Sequence, residues 1–256
     1  MRKIICIANQ KGGVGKTTTA INLSATLAAA ERKTLLIDCD SQGNATSGMG
    51  IDKDTISRQN LYHALIGNIP LKEVIVSTQI PHLDMAPADQ DLIGIEIEFV
   101  QLEEREKKLR SLLHQLETAY DFIIIDCPPS LGFLTVNALV ASDYVIIPLQ
   151  CEYFAMEGLG YLLNTIRLIK AKLNPTLTLG GILLTMFDSR NLLSHRVSED
   201  VRSHFGAKVF NTVIPRNVRL SESPSHGLPI ILYDIKSRGA VSYMELAREI
   251  LTNGRI

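Results

Sequence analysis

Five short runs of the chain are apolar almost without interruption: Lys3–Ala8, Thr34–Asp38, Phe122–Asp126, Tyr144–Pro148 and Gly181–Thr185. Strands covered on both faces read this way, because no alternate residue has to meet water. Leu83–Ala86 and Lys208–Val213 are weaker strand candidates. Helical spacing of apolar residues fills the intervals at Thr17–Ala30, Leu92–Thr118, Thr135–Ala141, Glu157–Leu173, Ser194–Phe205 and Val241–Thr252. Strands alternating with helices predict βαβ units: an α/β fold with an open, mostly parallel sheet flanked by helices on both faces. The charged stretch Glu96–Glu117 reads as a solvated helix with Glu103→Lys107 and Glu104→Lys108 pairs. No repeat, low-complexity tract or Pro/Ser-rich linker interrupts the pattern, so residues 1–256 read as one domain.

Composition narrows the class. At 46% hydrophobic and 21% charged residues, the 256-residue chain is neither disordered nor collagen-like. Lys plus Arg is 26 and Asp plus Glu is 27, giving a net charge of −1. Any binding to nucleic acid therefore requires a local basic patch. Cys6, Cys39, Cys127 and Cys151 form no CxxC pair and sit in or beside apolar runs. They read as buried thiols of a reducing compartment rather than a disulfide framework or cluster ligands. Too few apolar residues follow Met1-Arg2-Lys3 for a secretory signal, and no apolar run approaches a membrane span of ~18 residues. A cytoplasmic protein is expected.

The most specific motif is KGGVGKTT, Lys11–Thr18, between the first strand and the first helix. Strand, glycine loop and helix in that order form a phosphate-binding loop. Gly12, Gly13 and Gly15, with Val14 between them, let backbone N–H groups turn around an anion, and the helix N-terminus adds its positive end. Lys16 is expected to reach the β- and γ-phosphates, Thr17 to ligate Mg²⁺ and Thr18 to donate to the α-phosphate of ATP. The loop departs from GxxxxGK[ST]: Gln10 stands where the first glycine belongs, and an extra lysine, Lys11, precedes the glycines. Asp126 closes the run FIIID, where a carboxylate can hold Mg²⁺ through water. Asp38 and Asp40 follow another strand; Asp40, in a Gly/Ser/Asn-rich loop, is the candidate to orient an attacking water, and Asp38 to support the site.

Together KGGVGKTT, DCDSQGNAT, IIIDCPPSLG, LQCEYFAMEGL and IPRNVRLSESPSHG resemble the ParA/Soj branch of the deviant Walker A ATPases (ParA/MinD family), from Lys3 to Ala247. The resemblance implies a P-loop NTPase that hydrolyses ATP slowly without its partner and forms an ATP-sandwich homodimer. Lys11 would reach across to the partner's phosphates and Gly12 would leave room for that approach. It implies Asp40 as catalytic acid, Asp126 as Walker B acid, and Pro215 and Asn217 beside the adenine. Gln150 and Glu152 match a loop near the dimer interface, their roles left open.

Family members differ in output. Met186–Leu220 carries six cations (Arg190, Arg196, Arg202, Lys208, Arg216, Arg219) against Asp188, Glu199 and Asp200, a net of +3. Arg190 and Arg219 match DNA-contacting positions of Soj-like proteins, so nonspecific double-stranded DNA binding and a nucleoid-associated location are expected. Val241–Leu251 has an apolar stripe (Val241, Met244, Leu246-Ala247, Ile250-Leu251) but only Arg248 as a cation, and reads as a helix docked on the core rather than a membrane anchor. The first strand begins at Lys3, so no helix-turn-helix domain is expected before it. The implied function is chromosome or plasmid segregation with a ParB-like activator. Alternatives are an ATPase positioning another cargo such as a chemotaxis cluster, a MinD-like membrane ATPase, and a nonenzymatic scaffold.

Overall fold

The computed structural model describes residues 2–152, 154–252 and 256. Its strands are β1 (Lys3–Ile7), β2 (Thr34–Asp38), β3 (Val76–Ser77), β4 (Leu83–Ala86), β5 (Phe122–Asp126), β6 (Tyr144–Gln150), β7 (Thr178–Phe187) and β8 (Val209–Pro215). They form one sheet in the order β3-β4-β2-β5-β1-β6-β7-β8. Every pairing is parallel except β3 with β4. The helices are α1 (Lys16–Ala29), α2 (Asn44–Gly48), α3 (Leu61–Leu65), α4 (Leu71–Val74), α5 (Gly94–Glu98), α6 (Lys108–His114), α7 (Phe133–Ala141), α8 (Ala155–Lys172), α9 (Leu192–Phe205), α10 (Val218–Glu222), α11 (Ile230–Tyr233) and α12 (Arg238–Thr252).

The uninterrupted apolar runs are explained by two cores. Ile5, Ile7, Leu36, Ile124 and Leu183 point to one face, under α1 and α12. Their neighbours Ile4, Cys6, Leu35, Ile37, Ile123 and Ile125 point to the other, under α3, α6, α7 and α8. Successive side chains alternate between faces, so burying both requires every position to be apolar. All four cysteines are free and buried. On the α1 face β7 needs Gly181: a Cβ there would lie 2.4 Å from Cε2 of buried Phe210. The edge strand β8 is closed by buried Glu249 of α12, which accepts from the Asn211 and Thr212 amides (2.8 and 2.9 Å) and the Thr212 hydroxyl (2.8 Å). α12 is docked on the core as expected, but its buried face is Ala240, Tyr243, Leu246, Ala247 and Ile250, while Val241 and Met244 are exposed.

One expectation is corrected. Leu92–Thr118 is not a single helix. α5 ends at Glu98, Glu104 adopts a left-handed φ of 53°, and a short 3-10 turn at Arg105–Lys107 leads into α6. The break is held from α7: Asn137 Nδ2 donates to the Arg105 carbonyl (3.1 Å), and its Oδ1 accepts from the Leu109 amide (3.1 Å). Leu92-Ile95-Phe99 and Leu109-Leu113 pack into one core from separate helices, and the Asn137 clamp between them overrides local propensity. The i,i+4 pairs expected at Glu103 and Glu104 give way to Glu104 with Lys107, one turn apart at 2.5 Å.

Candidate functional site

The parallel strands deliver their C-terminal ends to one edge. Ile7 pairs with Asp126 and Asp38 with Asp126, so the loops after β1, β2 and β5 start side by side. In open α/β sheets this is the edge where ligands bind. The loop after β1 turns on Gly13 (φ 74°) and Gly15 (φ 88°), a left-handed backbone that strains any side-chain-bearing residue. Gly15 caps α1, so the unpaired amides of the helix's first turn face the same space as the loop amides.

The loop is pinned from three sides. Asn9 Oδ1 accepts from the Lys11 amide (3.0 Å) and its Nδ2 donates to the Pro148 carbonyl (2.7 Å). The Thr185 hydroxyl, at the end of β7, donates to the Val14 carbonyl (2.8 Å). Asn22 donates to the Thr18 carbonyl (2.8 Å) and accepts from the Ile230 amide (2.7 Å). None of these three residues was singled out from sequence. Asn9, two residues before Lys11, was the legible one. Thr185 acts from β7, and Asn22 joins the first turn of α1 to the distant Ile230 amide.

A cleft of about 570 Å³ opens above the loop. Gly12, Gly13, Gly15, Lys16, Thr17 and Thr18 line its floor, with Asp40, Asn44 and Pro129 opposite. A second chamber of about 480 Å³ shares Gly15, Thr18, Met186 and Pro224 with it. Pro215 and Asn217, implied by the resemblance, line that chamber. Asn217 also caps α10 through the Leu220 amide (3.3 Å).

Buried charge is concentrated behind the loop. Lys16 is buried, its Nζ donates to the Lys11 carbonyl (3.1 Å), and burial lowers its pKa against the pull of Asp126, Cys127 and Asp40. Asp126 is fully buried and neither carboxylate oxygen has a hydrogen-bond partner. Burial first, then the Asp38 charge, push its pKa well up; the nearby Thr17 hydroxyl and Lys16 oppose the shift. Asp38 does not line the cleft. Its carboxylate accepts from the Thr46 amide (2.9 Å), the Thr46 hydroxyl (2.8 Å) and the Asp40 amide (3.1 Å), and burial brings its pKa to about 6. It braces the loop that presents Asp40, the supporting place expected of it.

The remaining candidates lie on the same edge. Lys11 is exposed and ion-paired with Glu152, two residues beyond Gln150 at the end of β6. Gly12 has an ordinary φ, and a Cβ on it would meet only Pro129, at 3.9 Å. The isolated chain thus has room for a side chain there. Arg190 follows β7 and forks onto Asp188 with two 3.0 Å hydrogen bonds, holding that carboxyl at about 2. Arg219, on α10, pairs with Glu222 (2.9 Å) and Asp234 (3.5 Å).

A strand–loop–helix anion cradle, a buried lysine at the helix start and carboxylates on the adjacent strand ends define a P-loop protein of the lysine-first type. The family model described as AAA domain matches residues 2–179. The chain is 58% identical over 249 residues to the chromosome partitioning protein ParA of Myxococcus xanthus, covering 97% of this chain and 88% of that protein. It is 55% identical over 254 residues to the sporulation initiation inhibitor protein Soj of Bacillus subtilis, covering 99% and 100%. Among solved structures, a cobyrinic acid a,c-diamide synthase of Mycobacterium smegmatis with bound ADP and magnesium superposes with a TM-score of 0.87 at 37% identity, over 100% of this chain and 96% of that one. The chain belongs to the ParA/Soj family of P-loop ATPases.

Proposed function

We propose that this chain is an ATP-driven dimerisation switch that binds DNA nonspecifically and serves chromosome or plasmid segregation. The observation that carries the reading is the carboxylate of Asp126, buried without a hydrogen-bond partner beside Lys16, Thr17 and Asp40, which themselves line a cleft of nucleotide size. A buried carboxylate without donors is costly unless a cation completes it. The Thr17 hydroxyl, which lines the cleft next to this carboxylate, fits a hydrated Mg²⁺ carried in with ATP. When bound, that ion offsets charge on the β- and γ-phosphates.

The residues then divide the work. Loop amides from Gly12 to Thr18 and the Lys16 ammonium hold the phosphates, with Pro215 and Asn217 beside the adenine. Asp40, its backbone amide held by Asp38 and its side chain lining the cleft, orients the attacking water. Lys11 exchanges Glu152 for the phosphates of a second copy, and Gly12 permits the approach of the two loops. Pairing two copies doubles the arginine patch at Arg190 and Arg219, so DNA affinity follows the nucleotide. A ParB-like partner accelerates hydrolysis and release, and the protein resides on the nucleoid. No helix among the described residues is long and apolar enough to cross a membrane. The buried face of α12 favours DNA over a membrane surface as the output.

Asp40→Ala tests the division of labour. It should dimerise with ATP yet release no phosphate, read by light scattering and a phosphate-release assay. Normal turnover would remove Asp40 from the reaction.

A further inference from the structure

The loop that presents Asp40 is held by a lysine from outside the nucleotide cleft. Asp40 Oδ1 accepts from the Gln42 amide (3.0 Å), and the Asp40 carbonyl accepts from the Gly43 amide (2.8 Å). The candidate carboxylate is thus tied to the two peptide units that follow it. The second of these, between Gln42 and Gly43, offers its oxygen to Lys53, whose ammonium donates to it (2.5 Å). The ammonium reaches past its chain neighbours Asp52 and Asp54 to a carbonyl eleven residues back.

Lys53 meets the loop with its stem as well as its head. Gly43 is left-handed, with φ 58°, and Lys53 fills the space a side chain would take there. A Cβ on Gly43 would lie 2.7 Å from Lys53 Cε and 2.9 Å from its Nζ. The same Cβ would come within 2.6 Å of the Ala88 carbonyl oxygen. Ala88 is fixed in turn: its amide donates to the Thr46 hydroxyl (2.9 Å), and that hydroxyl donates to Asp38 (2.8 Å). Gly43 therefore sits against Lys53 on the one hand and the Asp38–Thr46–Ala88 network on the other.

Lys53 is itself anchored. It opens a short 3-10 turn, Lys53–Ile56, whose first amides are capped by Asp52 through the Asp54 N–H (3.0 Å) and whose last residue, Ile56, is buried. A cation on a peptide carbonyl polarises the whole amide, so the N–H of that peptide donates more strongly. The bond strengthened here is the one from the Gly43 amide to the Asp40 carbonyl. Lys53 lines neither chamber of the cleft, so any effect it has on the reaction passes through the loop.

We propose that Lys53 is a positioning residue for ATP hydrolysis: by gripping the Gln42–Gly43 peptide it fixes where the Asp40 carboxylate stands in the cleft. The inference rests on the reading of Asp40 as the group that orients the attacking water.

Lys53→Met keeps the stem and removes the ammonium; Lys53→Arg keeps a cation that can reach the same carbonyl. Single-turnover phosphate release, measured well below the melting temperature of each variant, should slow about tenfold in Lys53→Met, because a misplaced reacting group costs at least that order. Lys53→Arg should stay close to wild type. KM for ATP and ATP-driven dimerisation should be unchanged in both, since Gly12–Thr18 hold the phosphates. Hydrogen exchange at the Gly43 amide should quicken several-fold in nucleotide-free Lys53→Met and not in Lys53→Arg. Wild-type turnover by a folded Lys53→Met overturns the proposal. An equal loss in Lys53→Arg overturns it, because the cation would then not be what acts. A raised KM with unchanged kcat overturns it by placing Lys53 on the nucleotide. Normal turnover by Asp40→Ala refutes the reading of Asp40 and this inference with it. An inert Asp40→Ala beside an unimpaired Lys53→Met overturns the inference alone.

Discussion

Replacing Asp126 by Asn tests the idea that a stability cost is built into the nucleotide-free site. The carboxylate is fully buried and neither oxygen is in hydrogen-bond geometry with a donor, although the Thr17 hydroxyl and Lys16 lie close by. Its ionised form cannot cost more than the work of protonating it instead, since the group then neutralises. From the ordinary aspartate value of 3.8, at pH 7 that ceiling is about 4 kcal/mol. An Asn at the same place keeps an unpaired amide, which costs about 1–3 kcal/mol. Asp126→Asn should therefore stabilise the nucleotide-free protein by about 1–3 kcal/mol, or about 2–10 °C in Tm for a chain of this size. The pH dependence has a definite sign. A carboxylate whose folded pKa is raised makes the folded state bind more protons, so stability is greatest below about pH 4 and falls as pH rises toward the folded value. The variant should flatten that fall between pH 4 and 7, leaving the part that ends near pH 6, which belongs to Asp38. Melting curves across pH, with and without Mg-ATP, read all of this. Wild type should gain stability from Mg-ATP and the variant should not. A variant less stable than wild type without nucleotide would refute the reasoning, because it would mean that the carboxylate is already satisfied.

Two further outcomes follow from geometry alone. Gly181→Ala drives a methyl into the Phe210 ring at 2.4 Å and should cost about 1–3 kcal/mol, lowering Tm by about 2–10 °C; a Tm within a degree of wild type would show that the ring yields freely. Asp188→Asn keeps the turn to the Arg190 amide but frees the guanidinium from its carboxylate. Its ATP-bound form should hold DNA about 2–5-fold more tightly per protomer with a steeper salt slope, measured by anisotropy, whereas unchanged binding would place Arg190 outside the DNA contact.

What the sequence disclosed depended on how local the cause was. β1, β2, β5 and β6 were visible because burial on both faces leaves an uninterrupted apolar run. The phosphate loop was visible because its conformation demands glycines at Gly13 and Gly15 in consecutive chain. β3, two residues long, carries no pattern of its own. The break in Leu92–Thr118 was invisible because its clamp, Asn137, lies on another helix. Thr185 was missed for the same reason, since it reaches the loop from β7, and the distant partner of Asn22 is the Ile230 amide, 208 residues along the chain. The arginine patch and Asp188 were legible as charge, but the second carboxylate on Arg219, from Asp234, was visible only once the chain was folded.

The central claim is that nucleotide controls DNA affinity. Binding of the purified protein to unrelated double-stranded sequences, with ATP, with ADP and without nucleotide, across a salt series, tests it directly. The account predicts binding with ATP alone, indifferent to sequence and falling steeply with salt. Equal binding in all three states, or none despite ATP-driven dimerisation, would contradict it.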